Sequence, residues 1–389
     1  MFLLDFPYVS DVLKHTIKTY NHPVIATSSA RRLVADSNIN WISEAEASAL
    51  LKTNSNQLLY SNSENGLSWI ETHLEASDIN QHIQSVKDKA LFREKTTSLF
   101  PDFKFQVIEL QDIHNLASDE LNFPFVLKPS VGFLSLGVYV VHNKTDWEKA
   151  KADVLTESFK GLFPKNVVDT TYFIMEDIAQ GEEYAVDYYY DADGDVVILG
   201  ILHHLFSSGT DTSDRVYITS KAIVDQHKTA FKKFLKTIGD VLGLKNFPAH
   251  AELRVDKKGA ILPIEINPLR FGGWCTTADL SGLALGLDSY AYFLEQRVPD
   301  WDVLFQGKED KIFSVVVLDN STGLSPNEIQ YFDYDALAAD FQKPLCIRQL
   351  DINTYPLFGF VFAETDSTNQ LELQNILTSD LKKYVVLNE

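Results

Sequence analysis

A chain of 389 residues with 45% hydrophobic content is long enough for two or three domains, or one composite one, with a sizeable core. Its net charge of −20 argues against nucleic acid or an anionic membrane surface as partner, because phosphate-rich surfaces select clustered Lys and Arg. No run of about 18 apolar residues exists to span a bilayer. The two cysteines, Cys275 and Cys346, are too few for a disulfide framework and point to a cytoplasmic protein.

The opening Met-Phe-Leu-Leu-Asp-Phe-Pro-Tyr lacks a basic stretch and carries Asp5, so it reads as a first buried strand and not a signal peptide. A strand from Phe2 to Phe6, a helix from Val9 to Tyr20 and a strand from Pro23 to Ala26 follow. Further pieces at Gln57 to Tyr60 and Leu67 to Leu74 complete an α/β region wound on a mostly parallel sheet. There is no Gly-x-Gly-x-x-Gly after the first strand and no Gly-x-x-x-x-Gly-Lys-Ser/Thr loop, which argues against dinucleotide and P-loop sites.

Lys87-Asp-Lys89 opens a helix, with Lys87 expected on its exposed start. Phe123 to Lys128 is an apolar strand ending in lysine. A charge there is costly without a partner, and a bound phosphate would supply one. In the loop from Ser130 to Val138, Ser135 and Gly137 are best placed to offer backbone N–H groups to a phosphate, while Phe133, Leu134 and Leu136 would stiffen it. Tyr172 to Glu176 is a further apolar strand. A short linker ending in Gly181-Glu-Glu183 leads to an alternating strand through Tyr190, turned at Asp193-Gly194.

Leu202 to Tyr217 is polar and contains His203 and His204. Neighbouring strand residues face opposite ways, so the pair is not expected to share a metal. Arg215 is open to two readings, an anion contact or a structural ion pair. Between Gln226 and Leu242, the residues Phe231, Phe234, Leu235 and Ile238 form an amphipathic stripe that should pack on the next hairpin's sheet.

That hairpin runs Ala249 to Val255, turns at Asp256-Lys-Lys-Gly259 and returns from Ala260 to Asn267. Pairing Val255 with Ala260 sets Glu252 opposite Pro263 and makes Glu252 and Glu265 diagonal neighbours. Glu252, Glu265 and Asn267 then share one face. Two carboxylates and an amide oxygen are hard ligands suited to Mg²⁺; the plainer alternative is an exposed polar face. Pro-Leu-Arg270-Phe-Gly-Gly-Trp274 follows, with Cys275 beside it as an inert thiol. Residues 311 to 389 read as a separate α/β segment: strands from Ile312 to Leu318 and Tyr355 to Phe362, and a closing helix from Asn369 to Tyr384.

Lys87-Asp-Lys89, the Lys128 strand and its loop, Gly181-Glu-Glu183 and Glu265-Ile-Asn267-Pro-Leu-Arg270-Phe-Gly-Gly follow one another in order. Together they resemble the landmarks of the ATP-grasp superfamily, over residues 87 to 275. The resemblance implies an α/β (α+β) ATP-grasp fold. Its expected parts are an N-terminal domain at 1–86, an N-lobe with lid at 87–175, a C-lobe with the metal site at 176–310 and a small C-terminal part at 311–389.

It further implies ATP with Mg²⁺ or Mn²⁺. Lys89, Lys128, Ser135 and Gly137 would contact phosphates, the backbone around Glu176, Ile178 and Ala179 would read the adenine edge, and Glu183 would take the ribose. Glu252, Glu265 and Asn267 would bind metal, and Arg270 would serve catalysis. The implied partners are ATP, a small-molecule carboxylate and an amine, joined through an acyl phosphate; a homodimer is compatible with this. Arg-Phe-Gly-Gly-Trp and the trailing segment look most like the amino-acid ligases that make dipeptides. One residue more than the usual Asn-x-Arg separates Asn267 from Arg270. The alternatives are a non-catalytic nucleotide-binding module, or an enzyme that phosphorylates or carboxylates another acceptor.

Overall fold

The structure is a computed structural model that describes residues 1–388 apart from 36–37, 55, 133–136, 157–168, 209–210 and 212. The N-terminal strands Phe2–Leu3, Val24–Ile25, Trp41–Ile42 and Tyr60–Ser61 form a wholly parallel sheet with Phe2–Leu3 inside it. The first strand is shorter than expected because the Asp5 N–H bonds the Asn62 side chain at 2.8 Å instead of a neighbouring strand. Ser10, Thr27, Ser43 and Ser77 each cap the helix that follows, satisfying an otherwise orphaned backbone N–H.

The chain then enters two abutting helices, Asp78–Lys87 and Lys89–Thr96. Asp88 breaks them apart: its extended backbone ends the first, and its carboxylate accepts from Ala90 N and Leu91 N to start the second. Lys87 therefore closes a helix instead of opening one, and it is buried, not exposed.

A small antiparallel sheet follows, ordered Phe105–Glu109, Asp169–Glu176, Phe125–Val131, Tyr139–Val141. It packs on the helix Lys144–Leu155 around Trp147, Phe125 and Phe173. A larger sheet, eight-stranded among the described residues, runs in the order Ile261–Pro268, Phe247–Val255, Glu182–Tyr190, Val196–Leu205, Val216–Thr219, Lys311–Asp319, Leu357–Asp366, Lys343–Gln349. The segment expected to stand apart from residue 311 onward thus extends the sheet that carries the hairpin. Its end is not one closing helix but a helix at Leu371–Leu377, a 3₁₀ turn at Lys382–Tyr384 and the short strand Val385–Leu387.

Alternation along Glu182–Tyr190 sorts the layers. Tyr184, Val186, Tyr188 and Tyr190 are buried on one face with the stripe Val224, Phe231, Leu235 and Ile238 of the helix Lys221–Leu242. The fit is close: Tyr190 donates its hydroxyl to Leu235 O at 2.8 Å. Glu183 and Asp187 lie on the opposite face, the one that carries the polar groups of the hairpin. Among the described residues no helix is long and apolar enough to cross a membrane.

Candidate active site

The hairpin pairs Val255 with Ile261 and Leu253 with Pro263, then shifts register so that Glu252 faces Glu265 directly. The expected diagonal placement is thereby corrected. Proline cannot donate to a strand ladder, and Pro263 sits on an edge strand beside the irregularity, where such a residue is tolerated. Asn267 pairs with His250, two residues on from each glutamate, so the trio shares a face. Burial, followed by the charges of Glu265, Glu183 and Asp214, pushes the Glu252 carboxyl well above the usual carboxylate range. Burial also opposes ionisation of Glu265, but Lys89, at 3.0 Å, holds that carboxyl below its ordinary value.

Glu252 makes no side-chain hydrogen bond or ion pair among the described residues. A half-buried carboxyl crowded by other carboxylates is a place where a divalent cation would relieve repulsion, and the oxygen-only donors suit Mg²⁺ or Mn²⁺. Among the described residues no three His, Cys, Asp or Glu side chains converge as a metal cage, so the third protein ligand would have to be the Asn267 amide.

Lys89 and Arg93 lie one turn apart on one face of the helix Lys89–Thr96, and both are buried. Arg93 was not singled out from sequence, although its spacing from Lys89 is the signal that marks it. It donates Nε to Glu176 at 2.7 Å and Nη2 to Pro263 O at 2.8 Å, tying the small sheet to the hairpin. Lys128 reaches the other oxygen of Glu176 at 2.6 Å. The partner expected of Lys128 was a phosphate; within the chain it is this carboxylate. Burial opposes the Glu176 charge, yet Lys128 and Arg93 bring its pKa down to about 2. Burial also lowers the pKa of Lys128, against the pull of Glu176.

Glu176 ends its strand, and Ile178 and Ala179 lie half-buried in the connector to the large sheet. Their backbone N–H groups have no hydrogen-bond partner among the described residues, which leaves an edge open to a ligand. Gly181, at φ 111°, starts the next strand where a Cβ would stand 2.0 Å from Val255 O, so glycine is required there. Glu183 accepts from Arg254 Nη2 at 2.8 Å and from His204 Nδ1 at 3.0 Å. His204 also bonds Ser213 O at 3.0 Å through Nε2, while His203 meets Glu182 on the other face; the two histidines share no ligand. Gly137, left-handed at φ 71°, precedes the strand Tyr139–Val141, which pairs with the strand of Lys128. Ser135, expected beside it, lies outside the described residues.

The extra residue before Arg270 is absorbed by Leu269, whose backbone is left-handed at φ 59°. Leu269 N donates to Pro248 O at 2.8 Å, and its carbonyl accepts from Ser61 N at 2.7 Å. Arg270 then reaches a residue not foreseen from sequence, Glu64 of the N-terminal region: Nε lies at 3.0 Å and Nη2 at 2.5 Å from Oε1. Lys87 binds the other oxygen of Glu64. Burial opposes the Glu64 charge, but Lys87 and Arg270 hold its carboxyl far below the usual range.

Behind Arg270, Gly272 N donates to Asp187 Oδ1 at 3.0 Å, and Asp187 also holds His250 at 2.7 Å and Thr277. The glycine loop is thus pinned to the sheet. Arg215 is not part of this cluster, because it bonds Asp319 at 2.7 Å and Ser379 O at 3.1 Å as a structural pair. Burial, with Asp279 nearby, raises the Cys275 thiol to about 11, consistent with an inert cysteine.

Glu252, Glu265 and Asn267 thus share one face of the hairpin with Lys89 bonded to Glu265, Arg270 lies within electrostatic reach of both glutamates, and Glu183 lies along the same sheet face. Residues 121–278 match the model of the ATP-grasp domain family. No curated protein sequence matches the chain.

Among solved structures, the L-amino acid ligase from Bacillus licheniformis is similar over 100% of this chain and 98% of its own, at 16% identity and a TM-score of 0.67. Biotin carboxylase from Campylobacter jejuni, in complex with β,γ-ATP, covers 100% and 92% at 13% identity and a TM-score of 0.63. N5-carboxyaminoimidazole ribonucleotide synthetase from Thermotoga maritima covers 99% and 98% at 13% identity and 0.61. These likenesses speak for the fold, and the domain match covers residues 121–278. That stretch thus resembles an ATP-grasp domain, and the ordered landmarks and the two-sheet architecture agree with the match.

Proposed function

We propose that this protein is an ATP-dependent carboxylate–amine ligase acting on small, amino-acid-like molecules. The observation that carries this reading is that Glu252, Glu265 and Asn267 share one hairpin face, with Lys89 bonded to Glu265 and Arg270 within electrostatic reach of both glutamates, in and beside a stretch that matches an ATP-grasp domain. The likeness to an L-amino acid ligase along nearly the whole of both chains supports the substrate class.

Glu252, Glu265 and Asn267 would hold Mg²⁺ or Mn²⁺, which supplies charge neutralisation for phosphoryl transfer. Lys89 and Lys128 offset the phosphate charges. The open backbone edge at Ile178 and Ala179 receives the adenine, and Glu183 accepts from the ribose hydroxyls. A carboxylate oxygen of the substrate attacks the γ-phosphorus, the bond to the β-phosphate oxygen breaks, and ADP leaves with an acyl phosphate formed. The amine nitrogen then attacks the acyl carbon, the carbon–oxygen bond to phosphate breaks, and the nitrogen loses a proton. Arg270 steadies the transferring group and the oxyanion.

The test is ADP and phosphate release with ATP and Mg²⁺ across a panel of amino acids, with and without a second amine. Amine-dependent amide product is expected. ADP without amide would make it a kinase-like enzyme, and binding without ADP a non-catalytic module.

Lys128→Ala is expected to weaken binding of a non-hydrolysable ATP analogue by about 10–100-fold, the worth of one charge-assisted contact. Calorimetric titration decides it, beside a melting curve because the change also removes one of the two cations on Glu176 and leaves Arg93 as the other. Affinity equal to the parent protein would remove Lys128 from the phosphate site. Glu183→Ala should weaken ATP and GTP by one common factor, because ribose is shared, whereas substitution at Ile178 should shift base preference. A Glu183 variant that switched preference at unchanged affinity would contradict the ribose role.

A further inference from the structure

Arg270 can serve catalysis only where its head group is held, and the group that holds it comes from outside the matched domain. The carboxylate of Glu64 bridges Arg270 and Lys87, and all three side chains are largely excluded from solvent. They come from three separate stretches: the turn after Tyr60–Ser61, the last residue of the helix Asp78–Lys87 and the loop after the hairpin. The left-handed Leu269 and the Ser61–Leu269 hydrogen bond bring the arginine against that turn.

A single carboxylate on a buried arginine anchors it but also cancels its charge, and a cancelled guanidinium offers little to a transferring phosphoryl group. Lys87 changes that balance. Two cations and one anion leave the trio with one net positive charge.

We propose that Glu64 is a positioning residue for Arg270, and that Lys87 restores the positive charge Glu64 would otherwise remove. The N-terminal region then sets both the place and the field of the reactive guanidinium. This rests on the catalytic reading of Arg270 given above.

The test is a double-variant cycle read as turnover beside affinity for an ATP analogue. Lys87→Met, which keeps the Glu64–Arg270 pair but leaves it neutral, should lower kcat about tenfold or more with analogue affinity unchanged. Glu64→Asp keeps the charge but withdraws it by one methylene, and should also lower kcat. In a Glu64→Gln background no negative charge remains to offset, so adding Lys87→Met should cost nothing further. Additive losses in the two backgrounds would overturn the charge role, because they would show Lys87 acting independently of Glu64.

Anchoring is read separately from activity. In ¹⁵Nε-arginine spectra, the signal missing from Arg270→Lys belongs to Arg270. Its Nε proton should exchange slowly in the parent protein and fast in Glu64→Gln, or in Glu64→Asp if the glutamine variant does not fold. Equal exchange in parent and variant would overturn the positioning role. Normal turnover of Arg270→Lys would instead bring down the catalytic reading of Arg270, whatever the exchange shows, so the two failures are distinguishable.

Discussion

Glu265→Gln is expected to abolish ATP-dependent turnover while leaving the fold intact, the largest single effect anticipated for this chain. The amide keeps the shape of the side chain and removes one hard anionic oxygen from a site that has two carboxylates among its protein ligands. Two further consequences follow from the geometry. Lys89, 3.0 Å from Glu265, loses its countercharge. Glu252, directly opposite, loses the carboxylate neighbour that helps push its pKa up, so its carboxyl should ionise more readily in the variant.

Turnover as a function of Mg²⁺, Mn²⁺ binding by spin resonance in the presence of nucleotide, and a melting curve form the measurement set. Full activity of Glu265→Gln, or of the parent protein in excess EDTA, would sink the metal assignment for this hairpin.

Arg270→Lys is expected to lower kcat by about 10²–10³ while leaving ATP affinity nearly unchanged, as for loss of a donor aimed at developing charge. Lysine retains the positive charge but not the planar fork. In this protein the fork has a second use, because Nε and Nη2 together grip Glu64 while Nη1 bonds Phe271 O at 3.0 Å. A lysine head group cannot make those contacts at once, so both position and charge distribution change. Steady-state kinetics beside direct nucleotide binding is the check. Near-normal turnover would mean that the reacting group does not depend on this side chain, and Arg215 could not stand in for it, being tied to Asp319 and Ser379.

Much of the site was legible because it depends on short-range periodicity. The two-residue repeat of a strand put Glu252, Glu265 and Asn267 on one face, and the turn at Asp256–Gly259 forms as its residues require, with Gly259 at φ 83°. The amphipathic stripe of the helix Lys221–Leu242 likewise declared its buried face. The fine register was not legible. The turn sets Val255 against Ile261, one residue from the expected register, and the irregularity beside Pro263 shifts the pairing by one more, which together turn diagonal neighbours into a facing pair.

Lys87 was misread for a similar reason. Whether a basic residue at a helix boundary meets water or a carboxylate depends on what packs over it, here a turn 23 residues earlier in the chain.

By itself, then, the sequence determined which chemical groups exist and which local element presents each of them: hard oxygen ligands on a hairpin, basic side chains at Lys89 and Lys128, a glycine-led strand bearing Glu183. Hydrophobic alternation and turn chemistry act over a few residues, and both can be read directly from the chain. Only the tertiary structure decided which charges meet. Lys128 and Arg93 share Glu176, 48 and 83 residues away from it along the chain. Arg270 meets Glu64 across 206 residues. Buried charges must find partners wherever the fold brings them within reach, and that reach is set by how the sheets pack, not by spacing in sequence.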